Sequence, residues 1–254
     1  MSKNPAFEGI ENLYGKSGFK KIQAAHVLII GIGGVGSWCA ESLARSGINH
    51  LTLVDMDEIC ISNINRQIHA LTTTVGQSKI DVMKERLLQI NPELDCKGIF
   101  DFFSESSKDL LTSNEYHFII DAIDSVESKA LLHSMAQKLS IPIICIGGSG
   151  SRIDPTKIVI NDLNKSVNDK LLKQLKRRLR RDYQFSKFTT KPFKIPTVFS
   201  TEEPLDGEIQ DCELKSGRRI NCQSGLGSAS FVTATFGMIA VSYVLKKISG
   251  IECT

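Results

Sequence analysis

The stretch Val27-Leu28-Ile29-Ile30-Gly31-Ile32-Gly33-Gly34-Val35-Gly36 decides the fold. A short, wholly apolar run of branched residues leads straight into a glycine-rich turn. Such a run suits a strand buried on both faces. Ser37–Ser46, directly after it, has helical spacing. The glycines therefore form G-x-G-x-x-G between a strand and a helix, the context that gives the pattern its physical meaning. They allow a tight turn and a close backbone approach, and the helix start offers free N–H groups to a phosphate. Leu51–Val54 is the next strand. Asp55 at its end lies 19 residues after Gly36, where a carboxylate can accept both hydroxyls of a ribose.

Working outward, Ile80, Met83, Leu87 and Ile90 are spaced three or four apart and form one face of a helix over Ser78–Ile90, which Asn91-Pro92 ends. His117–Ile120 reads as a strand, Val126–Leu139 as a helix and Ile141–Ile146 as a strand. Strand–helix alternation of this kind implies parallel pairing with right-handed crossovers. The expected fold is α/β and Rossmann-like, a mainly parallel doubly wound sheet with an elaborated C-terminal part. We expect a single domain over 1–254. Its nucleotide-binding core spans about 20–150, a basic helix and loop-rich elaboration about 155–222, and a C-terminal helix about 228–248. Within the elaboration, Asn168–Asp182 is predicted as an amphipathic helix. Val167, Leu171, Leu172, Leu175 and Leu179 form its apolar stripe, and Lys173, Lys176, Arg177, Arg180 and Arg181 face outward. Residues 184–219 read as a loop-rich excursion.

The 254 residues are 41% hydrophobic and 23% charged, which excludes disordered, collagenous and coiled-coil classes. The net charge of +3 hides a division. Residues 165–194 hold eleven basic and two acidic side chains, while the rest of the chain holds twenty basic and twenty-six acidic. One strongly cationic segment on an acidic body points to a polyanionic partner. The seven cysteines are odd in number and none are spaced as CxxC, which argues against a disulfide framework and a structural zinc site. No secretory signal is visible at the N-terminus, so a cytoplasmic location is expected. Ile220–Leu245 contains no charged side chain. Its Ser, Thr, Gly, Asn and Gln content favours a buried core or subunit-interface helix over a membrane span, with peripheral membrane association left open.

The glycine loop and Asp55 alone favour a dinucleotide and an NAD-dependent oxidoreductase. The residues that follow favour a triphosphate. Asn63-Ile64-Asn65-Arg66-Gln67 comes after the second strand, Lys79 opens the next helix 13 residues after Arg66, and Asp121 and Asp124 close the strand His117–Ile120. All fall at the carboxyl edge of the sheet, where such folds bind ligands. Two cations and an acid there suit a triphosphate with Mg²⁺: Arg66 and Lys79 can neutralise charge as phosphates separate, and Asp124 can hold the metal. Hydride transfer needs no such set.

Gly31–Gly36, Asp55-Met56-Asp57, Asn63-x-x-Arg66-Gln67, Lys79 and Asp121-Ala122-Ile123-Asp124 resemble the ubiquitin-activating-type adenylating enzymes. Within that superfamily, Asn65–Leu71, Ile119–Ser125, Val198–Glu202 and Val232–Gly237 resemble the tRNA threonylcarbamoyladenosine dehydratases. The resemblance runs over essentially the whole chain. It implies a homodimer that adenylates the threonine carboxylate of N6-threonylcarbamoyladenosine in tRNA and then closes a ring with loss of AMP. It assigns the ATP site to Gly31, Gly33, Gly34, Gly36, Asp55, Asp57, Asn63, Arg66, Gln67, Lys79, Asp124 and Ser125, with Arg66, Lys79 and Asp124 catalytic. The cationic helix would then bind tRNA through Lys173, Lys176, Arg177, Arg178, Arg180 and Arg181, with Tyr183, Phe185 and Phe188 free to stack on loop bases. The alternative within the superfamily is activation of a sulfur-carrier or ubiquitin-like protein C-terminus.

Relatives carry an N-terminal arginine that reaches the partner subunit's ATP site. Here no arginine precedes Arg45, and Lys16 or Lys20 is the candidate substitute. Cys222 lies near where some members use a catalytic thiol and is a candidate thiol, although an intramolecular ring closure needs none. The resemblance also brings in a cysteine desulfurase or sulfur-acceptor protein as a candidate partner. The five histidines read as structural or surface residues.

Overall fold

The computed structural model describes residues 5–186, 188, 191–205 and 227–251. Seven strands form one sheet in the order β3-β2-β1-β4-β5-β7-β6. They are β1 (His26–Ile30), β2 (His50–Val54), β3 (Asp95–Ile99), β4 (Phe118–Asp121), β5 (Ile143–Ile146), β6 (Ile158–Asp162) and β7 (Pro196–Ser200). All neighbours pair parallel except β6 with β7. The expected mainly parallel, doubly wound α/β sheet is thus what the chain forms.

Period-two alternation assigns the faces of β1. Val27 and Ile29 join a core cluster with helices α1 (Glu8–Ala24), α2 (Gly36–Arg45), α3 (Lys79–Ile90) and α6 (Ser230–Ser249). Leu28 and Ile30 face the other side, against α4 (Val126–Leu139). Each such side chain, fully buried, contributes about 1.5–3 kcal/mol. A third cluster forms where Leu172, Leu175 and Leu179 of α5 (Lys170–Asp182) pack on Ala130, Cys145 and Phe199.

Local signals explain the helix boundaries. Ser78 Oγ accepts from Asp81 N at 3.2 Å and starts α3. Asn91 ends it by donating to Ile48 O at 2.9 Å. α4 stops at Ser140 in the left-handed region, φ 56°. α6 uses Gly237 to lie close on α2, since a Cβ there would stand 2.9 Å from Trp38 Cβ. This helix is long and apolar enough to cross a membrane by length and composition. Val232, Phe236, Ala240, Val241 and Val244 are nonetheless buried in the core, while Phe231 and Met238 are exposed.

The elaboration differs from expectation. Residues 155–222 carry β6 and β7, so part of the predicted loop-rich excursion lies within the sheet. The reason is pairing: β7 lies between β5 and β6, and Val198 and Phe199 alternate between the two faces. Val167 does not belong to the apolar stripe. It precedes the helix, which Asp169 caps through a bond from Leu172 N at 2.9 Å, and it is exposed. Cys222 lies outside the described residues.

Candidate functional site

The order of the strands reverses between β1 and β4, and the crevice at their carboxyl ends is where open α/β sheets take ligands. Gly31 turns there with φ 91°, and a Cβ on it would stand 2.7 Å from Ala122 O. A Cβ on Gly36 would meet Gly31 O at 1.8 Å. Both glycines are therefore sterically required. Gly33 and Gly34 are more open and lie under the side chains of Gln67 and Arg66. No side chain caps the start of α2, an arrangement that suits an anion there, although Ser37 N already donates to Gly33 O at 3.2 Å.

Asp55 is buried beside this turn. Its Oδ2 accepts from Ile32 N at 2.6 Å and its Oδ1 from Asp57 N at 2.9 Å. Burial pushes its pKa up, against the opposing pull of the Lys79 ammonium and those two N–H groups. The carboxylate keeps spare lone pairs for hydroxyl donors. Lys79 is buried too, with Nζ 2.7 Å from Asp57 Oδ2 and 3.9 Å from Asp55 Oδ1. Asp57 is half exposed, so the pair opens to the crevice.

The segment Asn63–Gln67 is held from several sides. Asn63 Oδ1 accepts from Cys60 N at 3.0 Å. The Arg66 carbonyl accepts from Trp38 Nε1 at 3.0 Å and from Thr233 Oγ1 at 3.1 Å. The Arg66 guanidinium reaches Ser62 O and Asn65 Oδ1. Gln67 Oε1 is buried with no hydrogen-bond partner among the described residues. Trp38 and Thr233 are positioning residues that sequence reasoning passed over. The signal for Trp38 was only that it is the chain's single tryptophan.

Asp124 is exposed and makes no ion pair or hydrogen bond among the described residues. It does not cap α4; that role falls to Ser125, whose Oγ accepts from Ser128 N at 3.4 Å. Asp121, by contrast, does not reach the crevice. Its carboxylate is fully buried, 2.9 Å from Lys129 Nζ and 2.8 Å from His133 Nε2, and accepts from Ile123 N at 3.1 Å. Burial opposes its ionisation, but Lys129 and His133 outweigh that and lower its pKa. Lys129 also donates to Ile123 O at 2.9 Å. Together these bonds fix the backbone next to Asp124. Asp121, His133 and Cys145 have a metal-ligand composition. The Lys129 ammonium beside Asp121 already supplies the positive charge, and burial raises the Cys145 thiol so that it stays protonated.

His69 is buried with both ring nitrogens unpartnered among the described residues, and burial pushes its pKa down to about 3. It is neutral in the folded chain, whereas the unfolded chain takes up a proton below about pH 6.5. Stability is therefore complete above pH 6.5 and falls as the pH drops toward 3, by about 1.4 kcal/mol per pH unit from this group. Urea melts at pH 7 and pH 5 should show the decline, and His69→Gln should flatten it.

The cationic helix meets its expectation only in part. Lys173 and Arg177 are exposed, and their side chains make no hydrogen bond or ion pair among the described residues. The other four are engaged within the fold. Lys176 donates to Ser166 O at 2.8 Å. Arg178 pairs with Glu127 and Asp182, and Arg181 with Asp182. Arg180 donates to Asn164 Oδ1 and lies over the Phe193 ring. Phe185 is buried against Phe193 and cannot stack on RNA bases; Tyr183 is half buried. Phe188 remains exposed, with Lys191 Nζ 5.1 Å from its ring centroid.

The ThiF family model matches residues 9–254. The chain belongs to the ThiF family. Among curated relatives, this family member is 44% identical over 242 residues to the tRNA threonylcarbamoyladenosine dehydratase of Haemophilus influenzae, a match covering 95% of this chain and 92% of that protein. It is 38% identical over 199 residues to the Bacillus subtilis protein of the same name, covering 78% and 76% of the two chains. Among solved structures, the tRNA N6-threonylcarbamoyladenosine dehydratase of E. coli in complex with ATP superposes with a TM-score of 0.86 at 42% identity, covering 96% of this chain and 94% of that one.

Proposed function

We propose that this ThiF-family chain cyclises N6-threonylcarbamoyladenosine in tRNA with consumption of ATP. The observation that carries the reading is the match to the Haemophilus influenzae dehydratase over 95% of this chain and 92% of that protein. The threonine carboxylate attacks the α-phosphorus of ATP and pyrophosphate leaves. A nitrogen of the adjacent urea then attacks the acyl carbon, loses its proton, and AMP leaves, so that one water is removed overall.

The chain's own residues have defined tasks in this scheme. The glycine turn and the open start of α2 receive the phosphates, and Asp55 accepts the ribose hydroxyls. Lys79 and Arg66 neutralise charge that develops as pyrophosphate departs. Asn63 and Gln67 orient the nucleotide, Gln67 through its unpartnered Oε1. Asp57 holds the Lys79 ammonium in place until the phosphates take over part of the pair. Asp124, with one exposed carboxylate and no competing partner, fits Mg²⁺, which prefers one or two carboxylates with waters and phosphate oxygens. Bound there, the ion would supply further charge neutralisation. Because the two steps occur on one bound pair, positioning does most of the work.

From the family resemblance we infer a homodimer acting in the cytoplasm. Lys16 or Lys20, both exposed on α1, stands in for the arginine that relatives lend to the neighbouring site, as a single charge rather than a planar fork. For tRNA, Lys173 and Arg177, whose side chains are unpaired among the described residues, carry phosphate contacts. Replacing both with glutamine should weaken tRNA binding about 3–30-fold and reduce its salt slope by about two, whereas Arg181→Gln should change little. Equal effects of the two changes, read by filter binding across a salt series, would contradict this division. Pyrophosphate release tests the whole reading. With ATP and Mg²⁺, modified tRNA should provoke it and a sulfur-carrier protein should not; the reverse result would assign the chain to carrier activation.

A further inference from the structure

The turn Gly147-Gly148-Ser149-Gly150-Ser151-Arg152 follows β5, the neighbour of β4 on the side away from β1. Phosphates are expected over the turn after β1 and the ribose at the end of β2. The second substrate, with the carboxylate to be activated, must then arrive from the β4–β5 side. That carboxylate has to approach a phosphate of like charge. Neither Arg66, which follows β2, nor Lys79, which is paired with Asp57, lies on that side.

Arg152 does lie there, and the rest of the mechanism has no use for it. Its side chain is 4% exposed. One Nη2–H donates to the carbonyl of Asn168. Nε and Nη1 are buried with no hydrogen-bond partner among the described residues. The nearby acids do not satisfy them. Asp169 spends Oδ1 on Leu172 N and Oδ2 on Gly148 N. Glu202 accepts from Ile153 N and Asp154 N. Both carboxylates keep the guanidinium charged against the depressing effect of burial. Ser151 before it and Asn168 beneath it are in the left-handed region, φ 58° and 54°. Non-glycine residues are held there only where surrounding structure demands it, and such places cluster at ligand sites. Buried Nε–H and Nη1–H groups left without acceptors cost free energy that a bound anion recovers.

We propose that Arg152 binds the carboxylate of the threonylcarbamoyl group and holds it for attack on the α-phosphate. The assignment rests on the dehydratase reading above. It makes Arg152 the residue that separates modified from unmodified tRNA, because only the modified nucleoside carries this carboxylate.

The test uses the full-length protein and three binding titrations: modified tRNA, the same tRNA without the modification, and ATP. Arg152→Gln should lose about 10–100-fold in affinity for modified tRNA, the loss expected for a charge-assisted hydrogen bond. Affinity for unmodified tRNA and for ATP should stay within about twofold of wild type, a spread too small to reflect a lost hydrogen bond. Arg152→Lys, which keeps the charge without the fork, should recover part of the preference and also guards against a folding defect in the glutamine variant. A preference for modified tRNA unchanged in both variants overturns the assignment. So does a parallel loss of ATP binding with a lowered melting temperature, which would mark Arg152 as structural. If wild-type protein releases no pyrophosphate with modified tRNA, the dehydratase reading itself fails; normal release with an unchanged preference removes Arg152 alone.

Discussion

Lys79→Ala is expected to lower pyrophosphate release on modified tRNA by about 10²–10³-fold, the range seen when one preorganised charge partner is removed from a reacting group. The geometry behind this is specific. Lys79 Nζ is buried within 2.7 Å of Asp57 and 3.9 Å of Asp55, at the mouth of the glycine turn. It is the cation in the crevice whose position is set on both sides by acids that do not leave. The same substitution should cost less stability than stranding a fully buried carboxylate, because Asp57 is half exposed and rehydrates, and Asp55 keeps its bonds from Ile32 N and Asp57 N. A thermal melt separates the two effects. Activity within a few-fold of wild type would remove Lys79 from the site.

The second large effect concerns stability. Lys129→Met should destabilise the chain by about 3–5 kcal/mol, because it strands the Asp121 carboxylate in the core. For a chain of this size that corresponds to a melting-temperature drop of about 10 °C. Lys129 and Asp121 are both fully buried, and Lys129 also holds the carbonyls of Asp121 and Ile123. Replacing both partners, Lys129→Met with Asp121→Leu, should cost less than either single change, since no charge remains to be stranded. A double-mutant cycle by urea denaturation measures this. A single-variant loss under about 1 kcal/mol would mean that the pair does not hold the turn beside Asp124.

The two effects also show what could be read from residues alone. Gly31–Gly36, Asp55, Arg66, Lys79 and Asp124 were legible because their signal is local: glycine spacing after an apolar strand, acids and cations at strand ends. The buried network was not. Asp121 looked like a crevice residue because it ends β4, and only tertiary contact shows that Lys129 and His133, eight and twelve residues on, turn its carboxylate inward. The strand β7 was hidden inside a Lys- and Pro-rich stretch, since its partners β5 and β6 are distant in the chain. The charge of α5 was legible as a sum, but not its distribution. Glu127, Asp182, Asn164 and Phe193 occupy three of the arginines, leaving Lys173 and Arg177 outward.

The central claim is that the chain removes water from one nucleoside. The most direct measurement is the mass of the modified adenosine recovered from tRNA after incubation with the protein, ATP and Mg²⁺. The account predicts a nucleoside lighter by one water, formed together with AMP and pyrophosphate, absent when ATP is withheld and formed about 10²–10³-fold more slowly when Lys79→Ala replaces the wild type. Recovery of unchanged threonylcarbamoyladenosine, while the protein binds both ATP and the tRNA, would contradict it.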